Sequence, residues 1–278
     1  MLGRIAIHLS DDHDCARRIE AGLMLARQHG AEAVGLYAPG GNLGRMYEEN
    51  LLPPEASQIL HQRYQADHDR VRELFLDRAA AVGAAAQWRA LKGQTDVALS
   101  LHVRYCDLLV MSKSASTDRM SSLVSNLPEA VMMAAGRPVL MIPNHGTFDS
   151  IGQRVLYCWD QRREAARAFA DAAPLLRQCQ SLAVLEIDRD TEMLKEQGLT
   201  PDDFDHYCVS LGYPGPQHLL KDSEGYGVGN TILNTAADLG SDLIVMGAYG
   251  HSRMRQWIMG GASRTLLSTM TVPVLLSN

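Results

Sequence analysis

The strongest constraint on the fold is that the chain contains one pattern twice. Asp107-Leu-Leu-Val-Met111 recurs as Asp242-Leu-Ile-Val-Met246, and Pro138-Val-Leu140 as Pro273-Val-Leu275, both at an offset of 135 residues. Nearer the front of each copy, Arg4-Ile-Ala-Ile7 aligns with Arg154-Val-Leu-Tyr157 and Ala16-Arg17 with Ala166-Arg167, at an offset of 150. The first copy is therefore 15 residues longer in its middle. Two copies of one unit in 278 residues predict two domains, 1–143 and 154–278, joined by a polar linker 144–153 that contains Gly146 and Gly152.

Within each copy, short apolar runs alternate with segments of helical spacing. Strands are expected near 3–9, 33–38, 86–91, 107–112 and 138–142, and again near 154–159, 181–187, 215–221, 242–247 and 272–276. Strands alternating with helices imply parallel sheets with right-handed crossovers. The predicted fold is α/β, with two tandem doubly wound five-stranded parallel sheets. The extra length of the first copy falls in a long helix from about Pro54 to Val82, with Leu60, Tyr64, Val71, Leu74 and Phe75 on its packing face. His61 and His68, seven residues apart, read as solvent-facing.

In an open parallel sheet, ligands bind beyond the carboxyl ends of the strands, where the winding reverses. At that place the second copy carries Gly247-x2-Gly250-x9-Gly260-Gly261, directly after an apolar strand. Glycines there let an anionic group approach main-chain N–H groups, and the segment after Gly260 would point a helix N-terminus the same way. A tight connection without a ligand is the plainer alternative. Asp160, at the tip of the copy's first strand, would stand opposite Gly247 and Gly250, either holding a sugar hydroxyl or Mg²⁺, or capping the next helix. Arg253 and Arg255, within the nine-residue spacer, either offer positive charge to a phosphate tail or are plain surface charges, and His251 either touches a ligand or caps the loop.

The repeat, the glycine spacing and the strand-tip acid resemble the universal stress protein family, in its tandem two-domain form. The resemblance implies a Rossmann-like sheet of the adenine nucleotide α-hydrolase superfold. It also implies ATP or another adenine nucleotide as ligand, with Mg²⁺ as an admissible companion. It carries Asp160, Gly247, Gly250 and Gly260 over as binding residues, and puts the backbone of Glu186-Ile187, at the end of the second strand, beside the adenine ring. Two positions depart from the family pattern. Gly261 stands where a serine or threonine hydroxyl would meet phosphate, with Ser263 the nearest substitute, and Gln161-Arg162 follow Asp160 where Gly-Ser is common. In the first copy Ser112, Ala115, Ser125 and Asn126 replace the four glycines, and Ser10 replaces the acid, so that copy reads as structural.

A net charge of −6 argues against general affinity for nucleic acid or anionic membranes. No apolar run approaches a membrane span, and the amino terminus lacks a signal-peptide core, so a cytoplasmic protein is expected. Five unpaired cysteines read as small buried apolar residues. The Asp11-Asp12-His13-Asp14 run suggests helix-start acids rather than a metal site. No nucleophile elbow, His-Glu metal motif or placed base accompanies the glycines, so any ATP hydrolysis would be slow and incidental. The expected role is a nucleotide-binding sensor or switch in the second domain. The alternatives are a ligand-independent interaction module, whose final strands pair within the chain as a pseudo-dimer or between chains as a homodimer, and an enzyme acting on a phosphorylated small molecule.

Overall fold

In the computed structural model, residues 1–38, 54–113, 127–189, 194, 196–248 and 266–278 are described. The chain folds as two compact units, Met1–Thr147 and Phe148–Asn278. In the first, strands β1 (Arg4–Leu9), β2 (Glu32–Tyr37), β3 (Ala86–Ala90), β4 (Leu108–Ser112) and β5 (Val139–Ile142) form a parallel sheet in the order β3-β2-β1-β4-β5. Helices α1 (Cys15–His29), α2 (Pro54–Val82), α3 (Thr95–Val103) and α4 (Leu127–Ala135) connect them.

The second unit repeats the plan. Its strands β6 (Arg154–Cys158), β7 (Ser181–Ile187), β8 (Gln217–Lys221), β9 (Leu243–Gly247) and β10 (Val274–Ser277) are parallel in the order β8-β7-β6-β9-β10. Helices α5 (Arg163–Asp171), α6 (Ala173–Leu176), α7 (Pro201–Ser210) and α8 (Val228–Asp238) are joined by a helical stretch at 266–269. The winding reverses between β1 and β4 in one unit and between β6 and β9 in the other. Central strands are apolar on both faces because helices cover both: β4 is buried throughout, and β9 is buried up to Gly247.

The repeated aspartates explain why the two copies share a register. Asp107 precedes β4, and its Oδ2 accepts the Gly3 N–H at 2.7 Å and the Arg4 N–H at 3.0 Å as the chain enters β1. Asp242 precedes β9 and accepts four donors: Ser150 Oγ at 2.5 Å, Gly152 N at 3.1 Å, Gln153 N at 3.1 Å and Arg154 N at 2.8 Å. Residues 150–153 are thereby tied to the second unit, and Ile151 is fully buried there. On the other side, Arg17 holds the carbonyls of Asn144 and Gly146 against the first unit.

The long helix α2 seats Val71, Phe75 and Ala79 in the core. His68 does not face solvent as its spacing suggested. It lies edge-on to Tyr37 and Trp88, with ring centroids 5.3 Å away in each case, and its Nε2 accepts the Trp88 indole N–H at 3.3 Å. Tyr37 stacks on Trp88 at 5.5 Å. A single-sequence reading counts spacing along one helix and is blind to an aromatic shelf built from two neighbouring strands.

Removing the Asp242 carboxylate should strip four donors of their partner at once. Asp242→Ala is expected to destabilise the second unit by about 2–3 kcal/mol, and Asp107→Ala, with two donors, should cost the first unit less. Urea denaturation of both variants checks the ranking.

Candidate functional site

In the second unit, β6 and β9 are neighbours, with Tyr157 level with Val245, so Asp160 and Gly247 leave the same end of adjacent strands. The Asp160 side chain is 57% exposed, and its Oδ1 accepts the Arg162 N–H at 3.0 Å. That bond closes a turn ahead of α5, whose N-cap is Arg162 rather than Asp160. The carboxylate keeps most of its acceptor capacity towards solvent. Ile187 ends β7, level with Lys221 of β8.

Gly247 has a packing reason of its own. A Cβ built there would meet Ala165 N and Glu164 C at 2.6 Å and Glu164 Cβ at 2.9 Å, so the first turn of α5 takes the space a side chain would fill. The glycine brings helix and strand into backbone contact at the reversal of winding. Gly250, His251, Arg253, Arg255, Gly260, Gly261 and Ser263 lie outside the described residues.

An aromatic cluster braces the β6 tip. Trp159 packs on Tyr157 at 5.9 Å and on Phe204 of α7 at 5.7 Å, while the Tyr157 hydroxyl donates to the Ala165 carbonyl at 3.0 Å. Burial, with the Asp160 charge nearby, pushes the Cys158 thiol up to about 12, so it has little thiolate character at neutral pH. The other four cysteines are buried.

The matching place in the first unit is built differently. Arg18 of α1, only 2% exposed, sits between the tips of β1 and β4. Its Nε donates to the His8 carbonyl at 2.8 Å; Nη1 donates to Asp12 Oδ1 at 2.9 Å and Ser112 Oγ at 2.6 Å; Nη2 donates to Ser10 Oγ at 3.1 Å and Asp12 Oδ2 at 2.7 Å. All five N–H groups of the guanidinium are used. Ser112 is the counterpart of Gly247, and the counterpart of Arg18 is Ala168, which is fully buried. Burial alone would raise the pKa of Asp12, but the Arg18 charge and hydrogen bonds outweigh it and hold the carboxyl below its ordinary value. Asp14 pairs with Arg17 at 2.9 Å and Asp11 with Arg70 at 2.5 Å, so this acidic run is engaged by arginines. Arg18 was missed in the sequence, although an arginine among Cys15, Ile19, Gly22 and Leu23 on the inner face of a helix, matched by alanine in the other copy, is a readable signal.

Residues 220–278, which span the glycine motif, match the universal stress protein family. A universal stress protein from Archaeoglobus fulgidus DSM 4304 has the same fold at a TM-score of 0.73 and 15% identity, covering 98% of this chain and 96% of its own. A protein from Pseudomonas aeruginosa UCBPP-PA14 assigned to the same family matches at 0.59 and 14% identity, covering 99% and 93%. At these identities the likeness is one of fold, and it extends over both units. No curated protein matches the sequence. Among the described residues no helix is long and apolar enough to cross a membrane.

Two measurements test this geometry. Gly247→Ala sets a Cβ against helix backbone and is expected to lower second-unit stability by about 1–3 kcal/mol in urea; a neutral result would show that α5 can retreat. Burial and the Arg18 charge pull the His8 pKa down to about 4 from an ordinary value of 6.5. As pH falls from 6.5 to 4 the unfolded chain therefore takes up a proton that the fold refuses, and stability drops by about 3 kcal/mol across that window. His8→Gln, whose amide can still donate to the Ala38 carbonyl, should flatten the first unit's urea midpoint over the same range.

Proposed function

We propose that the second unit binds an adenine nucleotide (ATP, ADP or AMP) at the carboxyl ends of β6 and β9 and serves as a cytoplasmic sensor or switch. The observation that carries this reading is the pairing of an exposed strand-tip acid, Asp160, with the glycine motif that starts at Gly247, at the reversal of winding where parallel sheets receive ligands. The match of residues 220–278 to the universal stress protein family, which spans that motif, supports it. The residues present fit such a ligand. Asp160 offers carboxylate oxygens to ribose hydroxyls or a phosphate-bound Mg²⁺. The Ile187 backbone would lie beside the base. Gly250, Gly260 and Gly261 would offer N–H groups to phosphate, with Arg253 supplying charge and His251 and Ser263 flanking it.

The first unit is structural in this reading. Its corresponding mouth holds the saturated Arg18 guanidinium, and Ser112 stands where the second unit has glycine. Binding rather than turnover is the expected activity, because phosphate recognition alone gives no differential stabilisation of a transition state.

Calorimetric titration with ATP, ADP and AMP should give one equivalent bound per chain. Gly250→Val and Asp160→Ala should each weaken binding by about tenfold or more, roughly 1.4 kcal/mol. Absence of heat with all three nucleotides, or a Gly250→Val protein indistinguishable from wild type, would overturn the reading. Equal thermal stability with and without nucleotide would then favour an interaction module.

A further inference from the structure

Among the described residues, two that are not glycine adopt positive φ, and both flank the mouth of the second unit. Gln161, just beyond β6, has φ 63°, and Asp188, just beyond β7, has φ 52°. Aspartate visits the left-handed region with some ease and here accepts both the N–H and the hydroxyl of Ser223. Glutamine has no such local compensation. Backbone held in that region persists where surrounding contacts impose it, and it concentrates where ligands are handled.

The contact that accompanies the Gln161 conformation is a hydrogen-bonded bridge between the two strand tips. Gln161 Nε2 donates to Glu186 Oε2 at 3.3 Å, and Arg189 Nη1 donates to Glu186 Oε1 at 3.2 Å. Glu186 is only 6% exposed, an unusual degree of burial for a carboxylate at a strand end. It shares a face of the sheet with Val184, which pairs with Tyr157, and Tyr157 reaches α5 through its hydroxyl. The carboxylate thus lies on the same side as the loop that carries Gln161 into α5. Arg189 balances its charge, while Gln161 supplies a neutral donor across a long hydrogen bond.

We propose that Glu186 is the specificity-determining residue for the base, and that Gln161 is a stand-in donor which the ligand's own exocyclic amine displaces. The inference rests on the nucleotide reading above. A nucleotide whose phosphates meet the glycine motif after β9 crosses the β6 tip and brings its base towards β7, because β6 lies between the two. A carboxylate there accepts a hydrogen bond from the 6-amino group of adenine and repels the 6-oxo group of hypoxanthine, an acceptor facing an acceptor. A hydrogen bond to a charged group discriminates by about ten- to a hundredfold.

The test compares ATP with inosine triphosphate by calorimetry. Wild type is expected to bind ATP at least about tenfold more tightly than the inosine analogue. Glu186→Gln presents an amide that can turn either its donor or its acceptor to the base, and should collapse the ratio to within about threefold. Gln161→Ala removes the competing donor while keeping the strained backbone, and should tighten ATP several-fold and leave the inosine analogue unchanged. Equal binding of the two nucleotides by wild type overturns the assignment while leaving nucleotide binding intact. So does a ratio that survives Glu186→Gln. Failure to bind either nucleotide overturns the underlying reading and this one with it. Should Glu186→Gln not fold, the Gln161→Ala result decides: unchanged ATP affinity refutes displacement.

Discussion

The acid that precedes the fourth strand of each unit sets the geometry on which everything else depends. By gathering the amides at the entry to the first strand, Asp107 and Asp242 fix how far that strand slides against its neighbour. In a parallel pair, register at the amino ends dictates which residues are level at the carboxyl ends. The approach of Asp160 to Gly247, and of Ser10 to Ser112, is therefore decided some 15 Å away, about five residues of strand rise. A carboxylate receiving main-chain N–H groups suits this task because its acceptors are short, rigid and strongly directional.

From that common frame the two units diverge through a few side chains. The first unit fills the gap between strand tips with a guanidinium, and Asp12, Ser10, Ser112 and the His8 carbonyl neutralise or receive it completely. In the second unit alanine replaces the arginine and glycine the serine, and α5 draws in until its backbone touches the strand. One solution is polar and saturated, whereas the other is close-packed and leaves its acid facing water. Each is internally consistent, which explains why mixing elements of the two would leave either a buried charge without partners or a steric clash.

Most of the fold was legible in the sequence because buried parallel strands are apolar along their whole length, and the repeat supplied two readings of every element. The limits of α2 and the identity of all ten strands follow from that signal. The site was legible only in part. Asp160 and Gly247 could be named because strand ends are predictable, but the packing role of Gly247 depends on how closely α5 approaches. His68 departs from its helical spacing because its partners, Tyr37 and Trp88, lie on two neighbouring strands that no helical periodicity reports, whereas Arg18 is legible only when the inner face of α1 is compared with the alanine of the other copy. The Gln161 conformation was equally hidden, since a glutamine in sequence gives no hint of positive φ.

The aromatic packing has an optical consequence. Trp88 in the first unit stacks on Tyr37 and hydrogen-bonds to an imidazole, while Trp159 in the second lies one residue from Asp160 between Tyr157 and Phe204. The two indoles thus sit in distinct surroundings, one against a titratable ring and the other against hydrocarbon and phenol. The sequence has a third tryptophan, Trp257, so emission from a chain that retains only Trp88 or only Trp159 reports on that half of the molecule without any added label.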